Sequence, residues 1–298
     1  MARTAPSLTL PICSVRIDIG HWAGARVTRV ARDSCNAVFG HISPILLSFL
    51  VLAQPAKADT QQDYASIRAG AFGGLFIPNT TSWQGSGVLA GLPPINASGQ
   101  LSLKNGSAAG GFVGYTFDDF LGIDWLRRKV NLEFQLGVVN DSFEKLDGAV
   151  SLAGVGNFAG SFPLAGHVST LAGMVNGLIC PFGQRQIGLG GHPITPFIGI
   201  GTGFARSDIT LQTFSLGQTI LPVNATSSET DPLFNFTVGF DITPLPQSIP
   251  RLEIGVAYQY TRIFSNHLGT GSGIAANSGN VSGHIFGLVL EYRVTENS

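Results

Sequence analysis

Charged residues are scarce in this chain, and long apolar runs are almost absent. Only 12% of the 298 residues are Asp, Glu, Lys or Arg, whereas glycine accounts for 39 residues and the mean hydropathy is +0.27. This composition excludes a disordered chain and is unusual for a soluble enzyme. The formal net charge is −1, and the one basic cluster is Arg127, Arg128 and Lys129. We therefore predict no nucleic-acid partner.

Cysteine is also scarce, which bears on disulfides and lipid anchors. The three cysteines are Cys13, Cys35 and Cys180, and the first two lie in a segment that we expect to be removed. One remaining cysteine makes no intramolecular disulfide. Cys35 precedes the apolar region without a lipobox, so the sequence does not predict a lipoprotein.

Motifs of catalytic or metal sites are missing as well. The sequence contains no HExxH zinc motif, no G-x-S-x-G nucleophile elbow and no Ser/His/acid set that can be nominated. The glycines of GIGTG, from Gly199 to Gly203, recur at every second position of a strand with no helix after them, which does not fit a nucleotide-binding loop. We therefore expect a protein that is not an enzyme, with no catalytic residue, no cofactor and no metal.

The one longer apolar stretch lies near the N-terminus. Residues 45–53 read ILLSFLVLA and are followed by Ala56, Lys57 and Ala58, an A-x-A signature with small residues at the spacing of a signal-peptidase site. We predict cleavage between Ala58 and Asp59. Residues 1–58 then form a leader, made of a basic extension and a signal peptide, and residues 59–298 form the folded domain.

The last strand shows the pattern that dominates the rest of the chain. In residues 282–294 the side chains alternate between a large apolar face, with Phe286, Leu288 and Leu290, and a face with Glu291 and Arg293. Successive residues of a strand point to opposite sides of the sheet. Residues 251–262 and 234–242 repeat this alternation. Apolar faces of this kind line the inside of a soluble barrel or the lipid-facing outside of a membrane barrel.

The lengths of the connections favour the membrane barrel. Alternation predicts eight strands, at residues 64–77, 107–117, 130–139, 167–179, 195–206, 234–242, 251–262 and 282–294. Connections of roughly 18 to 28 residues then alternate with connections of roughly 7 to 14, as expected when long loops face outward and short turns face the periplasm. We predict an all-β fold, an eight-stranded antiparallel up-and-down transmembrane β-barrel.

Four segments carry a resemblance to a known family: GGFVGYTF at 110–117, TPFIGIGTGFAR at 195–206, EIGVAYQYTR at 253–262 and GLVLEYRV at 287–294. The chain resembles the small outer-membrane β-barrels of Gram-negative bacteria, the OmpA-type and opacity-type porin-like proteins. The resemblance implies a monomer in the outer membrane, in contact with lipid and lipopolysaccharide and inserted by the barrel-assembly machinery. It also implies a role in envelope integrity, or in adhesion and contact with a host or surface ligand through four long outer loops.

The polar faces of the predicted strands bring charged residues into the lumen. We expect a network of these residues: Arg68, Glu133, Asp241, Arg251, Glu253, Glu291 and Arg293. Buried charges must be paired, because desolvating a lone charge costs several kcal/mol. The network is interpreted as a salt-bridged plug, or alternatively as a path for ions in a narrow porin-like channel. A lipid-A-modifying barrel enzyme and a soluble lipid-binding barrel are further alternatives.

Overall fold

The computed structural model describes residues 66–88, 93–117, 120–126, 129–182, 187–189, 192–244, 251–264, 268–271 and 274–295. The predicted leader and the cleavage site at Ala58 and Asp59 lie outside these residues. The described part is almost entirely antiparallel sheet, with one 3-10 turn at Asp124–Leu126. No helix in the described ranges has the length and apolar character needed to cross a membrane.

Thirteen strands make up the described part of the chain. In order, the strands are β1 Ser66–Pro78, β2 Thr81–Gly87, β3 Ile95–Leu103, β4 Gly106–Thr116, β5 Val130–Leu152, β6 Gly156–Ile179, β7 Ile187–Leu189, β8 His192–Leu216, β9 Thr219–Ile242, β10 Leu252–Ile263, β11 Leu268–Gly271, β12 Ile274–Ser278 and β13 Val281–Thr295.

Eight of these strands close into a ring. Hydrogen-bonded neighbours run β1, β4, β5, β6, β8, β9, β10 and β13, and β13 pairs back with β1 from Ser66↔Thr295 to Pro78↔Gly283. All pairings are antiparallel, and each ring strand pairs with the next ring strand along the chain. The eight-stranded up-and-down topology predicted from the sequence is therefore confirmed.

At the level of Phe134 and Leu288 the outward side chains of the ring are apolar, whereas its charged side chains point inward. On β5, Phe134 is 57% exposed whereas Glu133 is 8% exposed; on β13, Leu288 is 64% exposed whereas Glu291 is 2% exposed. The soluble lipid-binding barrel requires the opposite orientation, so that alternative is wrong.

The outward apolar side chains form a continuous band, which we call the apolar belt. It consists of Ile67, Leu75, Val113, Tyr115, Leu132, Phe134, Leu136, Val138, Leu171, Val175, Ile179, Ile198, Ile200, Phe204, Phe234, Val238, Phe240, Ile254, Val256, Phe286, Leu288 and Val294. On β1 and β13 the belt covers nine residues, from Ile67 to Leu75 and from Phe286 to Val294. About 9–11 tilted residues suffice for a strand to cross a bilayer. A soluble monomer rarely exposes an apolar surface of this extent.

Four strands continue far beyond the belt. β5, β6, β8 and β9 contain 23, 24, 25 and 24 residues. At about 3.3 Å per residue, such a strand is about 80 Å long, against a hydrocarbon core of about 30 Å. The predicted loops 140–166 and 207–231 are wrong in this respect, because they are the arms of two hairpins that turn at residues 153–155 and 217–218.

The two remaining predicted loops also contain strands. Loop 78–105 holds the hairpin β2–β3, whose β3 pairs with β5 from Ile95↔Leu152 to Leu103↔Phe143, and loop 264–281 holds β11–β12, whose β12 pairs with β2. We name the β-extension as residues 143–152 of β5, 156–164 of β6, 209–216 of β8 and 219–225 of β9, together with these two hairpins.

A change of register separates the belt from the β-extension. Where β5 pairs with β3, Leu103 lies opposite Phe143 and Ser102 opposite Lys145, so Glu144 is an extra residue of β5, a β-bulge. The pairing of β5 with β6 also shifts between Ser142 and Lys145. An extra residue turns all later side chains of a strand to the opposite face. Val138, Leu146 and Val150 are all at even-numbered positions of β5. Val138, before the bulge, faces outward, whereas Leu146 and Val150, after the bulge, are 1% exposed and face inward. The inner face of the β-extension has an apolar core: Ala97, Leu146, Val150, Phe162 and Phe214.

Candidate functional site: the lumen of the barrel

The charged residues predicted for the lumen come from strands that are close to one another in the ring. Arg68 lies on β1, and its Nη1 is 3.1 Å from Glu291 Oε2 on β13. Its Nη2 is 3.3 Å from Glu133 Oε2 on β5, two strands away in the other direction. The intervening β4 contributes Gly114 opposite both Arg68 and Glu133, so no side chain stands between the two groups.

A second arginine completes this group. Arg293 Nη2 is 2.7 Å from Glu253 Oε2, and Arg293 Nε is 3.4 Å from Glu291 Oε1. Glu291 therefore contacts both guanidinium groups. Asp241 is also buried beside them, at 4% exposed. We name the charge network as Arg68, Glu133, Asp241, Glu253, Glu291 and Arg293.

Arg251, which the sequence also placed in the network, lies elsewhere. It is half-buried and directly precedes β10, and its backbone carbonyl accepts a hydrogen bond of 3.0 Å from the backbone N–H of Arg293. In the described part of the chain its side chain makes no ion pair. The structure thus brings six of the seven predicted residues together.

Side-chain amides form a layer next to the charge network. Asn176 Nδ2 donates to Gln135 Oε1 at 2.9 Å and to Glu133 Oε1 at 3.4 Å, and Asn235 Nδ2 donates to Asn176 Oδ1 at 3.1 Å. Gln135 Nε2 lies 3.5 Å from Gln259 Oε1. β5 and β10 are four strands apart in both directions around the ring, so this last contact crosses the lumen. We call Gln135, Asn176, Asn235 and Gln259 the amide layer.

Beyond the amide layer, towards the β-extension, the lumen becomes apolar. A cavity of about 80 Å³ lies there. Its walls come from seven of the eight ring strands, all except β4, and from β2 and β3. Most of its lining side chains are apolar; those include Phe72, Phe76, Phe143, Met174, Leu233 and Ile285. Gln135 and Gln259 of the amide layer form part of the lining. We call this space the apolar cavity.

One half-buried carboxyl group in the lining of the apolar cavity stands out. Asp141 lies on β5 beyond Val138, the last belt residue of that strand, and it lines the cavity. Its Oδ1 is buried and has no hydrogen-bond partner within the described ranges. Burial raises the pKa of this carboxyl group to about 7. Asp141 can thus act as a hydrogen-bond donor or acceptor towards a molecule in the cavity.

Sequence reasoning did not single out Asn176 or Asp141. Asn176 shares its face of β6 with Met174 and Cys180, and all three are buried. Alternation along β6 indicates that these positions share one face, but that face mixes polar and apolar residues, so the sequence did not identify it as the inner face. Asp141 fell inside a predicted loop, where an acidic residue is ordinarily exposed to solvent.

Comparisons with known proteins add structural similarities of low sequence identity. No protein-family model and no curated protein matches the chain. Among solved structures, Neisserial surface protein A is 14% identical with a TM-score of 0.35, covering 78% of this chain and 99% of that one. OprG from Pseudomonas aeruginosa is 11% identical with a TM-score of 0.41, covering 78% and 97%. Ail of Yersinia pestis, solved with a heparin analogue, is 11% identical with a TM-score of 0.28, covering 76% and 99%.

At these identities the similarity says nothing about function, and the fold follows from the closed ring and the apolar belt. Because the ring is closed, none of its strands is an open edge with unpaired backbone groups. A sheet that spans a lipid bilayer must be closed in this way. The outward apolar and inward polar faces match those of transmembrane barrels. The chain is an eight-stranded antiparallel transmembrane β-barrel.

Proposed function

We propose that the protein is a barrel of the bacterial outer membrane that is not an enzyme, does not conduct ions and holds a small, largely apolar ligand on its β-extension side. The division of the lumen carries this proposal. One half is occupied by the charge network and the amide layer, which leave a cavity of only about 30 Å³, and the other half contains the apolar cavity. By this proposal the protein is a monomer that the barrel-assembly machinery inserts among outer-membrane lipid and lipopolysaccharide.

The half occupied by the charge network and the amide layer supports a lumen that is closed to ions. An eight-stranded barrel is just wide enough for side chains to fill. Here Arg68 spans from β13 to β5, and Gln135 meets Gln259 from the opposite wall. An ion that crossed this region would have to break several buried ion pairs and hydrogen bonds. The narrow porin-like channel is the rival, and it requires these contacts to open.

The apolar cavity supports ligand binding over a purely structural role. Ligand sites are concave and mainly apolar, with a few polar groups that orient the ligand. The cavity has this character, and Asp141 provides one carboxyl oxygen, Oδ1, that is buried and has no hydrogen-bond partner in the described part of the chain. A ligand with a short apolar body and one hydroxyl or amino group fits this lining. The β-extension, which carries exposed ion pairs such as Lys145–Asp147, is the surface through which contact with host or surface ligands would occur.

Conductance tests the closed lumen. The full chain, refolded and inserted into a planar bilayer, is expected to show no steady current. Arg293→Gln removes the partner of Glu253 and is expected to allow current, whereas Lys145→Gln, in an exposed ion pair of the β-extension, is expected to behave like the parent protein. A stable open level in the parent would instead establish the channel.

Ligand binding is tested separately, with n-hexylamine and n-hexanol as probes followed by NMR of labelled methionine methyl groups. Met174 lines the cavity, and its methyl signal is expected to shift when a probe binds. Filling the cavity with Met174→Trp should abolish binding measured by calorimetry. The matched control is Val175→Trp on the neighbouring, lipid-facing position, which should leave binding intact. Equal losses in both variants, or no shift in the parent, would contradict the ligand site.

A further inference from the structure

The charge network contains more carboxylates than guanidinium groups. Its four acidic residues are Glu133, Asp241, Glu253 and Glu291, all between 2% and 8% exposed, and its two basic residues are Arg68 and Arg293. With every group ionised, the network carries two negative charges in excess. Buried charge without compensation is strongly unfavourable. The network therefore requires about two further positive charges, as protons or as a cation.

Asp241 is where this excess is located. Glu133, Glu253 and Glu291 each contact an arginine, whereas Asp241 makes no ion pair within the described residues. Its Oδ1 is buried and has no hydrogen-bond partner there either. The neighbouring position on β10 is Gly255, where a side-chain Cβ would collide with this oxygen. The glycine thus leaves the space that the unpartnered carboxylate occupies.

The unpartnered carboxylate faces two others. One oxygen from each of Asp241, Glu253 and Glu291 lies within 4.8 Å of the other two. The three residues come from β9, β10 and β13, which are consecutive in the ring, and the register places Glu253 directly opposite Glu291. A cavity of about 30 Å³ adjoins Asp241 and Glu291. A space of about 10–15 Å³ holds one water molecule, so the cavity has room for about two.

We propose that Asp241, Glu253 and Glu291 bind one Ca²⁺ ion inside the barrel. A divalent cation supplies the two positive charges that the network lacks. Ca²⁺ takes oxygen ligands at about 2.3–2.6 Å, so two ligands of one ion lie at most about 4.6–5.2 Å apart, and three oxygens within 4.8 Å of one another can share the ion. Mg²⁺ dehydrates reluctantly and demands near-ideal octahedral geometry, whereas Ca²⁺ accepts irregular sets of oxygen ligands, so Ca²⁺ is favoured.

The two arginines do not exclude the ion. A carboxylate offers about four lone-pair positions, so Glu253 and Glu291 can accept hydrogen bonds from Arg293 and still contribute an oxygen to a cation. Water molecules in the adjoining cavity supply further oxygen ligands. The ion then connects β9, β10 and β13, while Arg68 connects β13, β1 and β5. The sequence, which contains no metal-binding motif, did not predict this site.

The test uses the full chain refolded in detergent with Ca²⁺ and then exchanged into Ca²⁺-free buffer. We expect about one Ca²⁺ per chain by atomic emission. After removal of Ca²⁺ with a chelator, the midpoint of urea unfolding should fall, and added Ca²⁺ should restore it more effectively than Mg²⁺. A correctly folded barrel with no bound Ca²⁺ and no response to added Ca²⁺ overturns the proposal; protons then balance the network.

A matched pair of variants locates the site. Asp241→Asn should lower the affinity for Ca²⁺ by about 10-fold or more. Because the substitution also removes an uncompensated charge, the variant in chelator should unfold at the same urea concentration as the parent or higher, which distinguishes lost binding from failed folding. Asp208→Asn changes an exposed carboxyl group on β8 and should bind Ca²⁺ as the parent does. Unchanged affinity in Asp241→Asn, or loss in Asp208→Asn, places the ion elsewhere and overturns the proposal.

Discussion

Arg68 and Glu291 form an ion pair across the seam where the first and last strands of the barrel meet, with Nη1 and Oε2 3.1 Å apart. The two residues are 223 positions apart in the sequence. Arg68 also reaches Glu133 on β5, so a single guanidinium group connects β13, β1 and β5. Closure of the ring thus brings the two ends of the folded domain into electrostatic contact.

Removing this arginine is expected to be costly. Arg68→Met leaves the buried Glu133 without an ion-pair partner among the described residues and leaves Glu291 with Arg293 alone. Breaking a buried pair from one side costs about 3–5 kcal/mol. Urea unfolding in detergent micelles, followed by tryptophan fluorescence, measures the free energy of unfolding. The double variant Arg68→Met with Glu291→Gln should be less destabilised than the sum of the two single variants, because the second change removes a buried charge that the first left with one guanidinium group instead of two.

An exposed ion pair provides the control. Lys145 and Asp147, with Nζ and Oδ2 2.9 Å apart, lie on the β-extension with side chains about two-fifths exposed. Water and salt screen such pairs, so Lys145→Met should leave the unfolding curve nearly unchanged. If Lys145→Met and Arg68→Met destabilised the barrel equally, the special role assigned to the seam would be wrong.

Gly255 is expected to tolerate no side chain. A Cβ at this position would collide with Asp241 Oδ1 and force the carboxylate away from Glu253 and Glu291. Overpacking of this kind costs about 1–3 kcal/mol, so Gly255→Ala should lower the urea midpoint. In Gly177→Ala the nearest heavy atom, the backbone oxygen of Ile200, is 4.0 Å from the new Cβ, and this variant should match the parent. Equal effects of the two substitutions would indicate a general response of strands to alanine.

Alternation in the sequence was sufficient to predict the ring and the residues on its inner face. Phe286, Leu288 and Val294 lie outward and Glu291 lies inward, as the period of two requires. The partners of Arg68 were beyond this reasoning. The alternation of a strand shows which residues face inward and which face outward. It does not show how far along the barrel each residue lies, because that depends on the register between neighbouring strands.

The β-extension shows why the predicted loops were wrong. Serine, glycine and asparagine are frequent there, and these residues are typical of turns. The apolar residues that remain, such as Leu146 and Val150, are at even-numbered positions, as are the belt residues of β5. The sequence alone would therefore place them on the outer face. The bulge between Ser142 and Lys145 turns them inward, and nothing in the local sequence marks the extra residue. In water the favourable arrangement has apolar side chains inside, so the change of face follows the change of solvent.

The β-extension should therefore loosen without loss of the barrel. Phe162 and Phe214 stack in its core with ring centroids 5.5 Å apart. Phe214→Ala leaves a cavity in this core, and we expect faster amide hydrogen exchange in β3 and in residues 209–216 of β8. Exchange in the belt strands, and the resistance of the barrel to SDS at room temperature, should not change. Phe204→Ala, at a lipid-facing position of the same strand, is the control. Faster exchange throughout the ring in Phe214→Ala would show that the two parts unfold together.

Asp141 is expected to make stability depend on pH. Its pKa is about 7 in the folded protein and 3.8 for an ordinary aspartate, so the folded state binds the proton more tightly. The free energy of unfolding should therefore fall as the pH rises from about 4 to 7 and change no further above that range, so far as this group is concerned. Asp141→Asn removes the ionisable group. The free energy of unfolding of this variant should equal that of the parent at about pH 4 and exceed it by up to about 4 kcal/mol at pH 8. Urea unfolding of both proteins across this range measures the difference. A constant difference at all pH values would mean that Asp141 is already paired in the folded barrel, and a difference that grows towards acid would reverse the sign of its contribution.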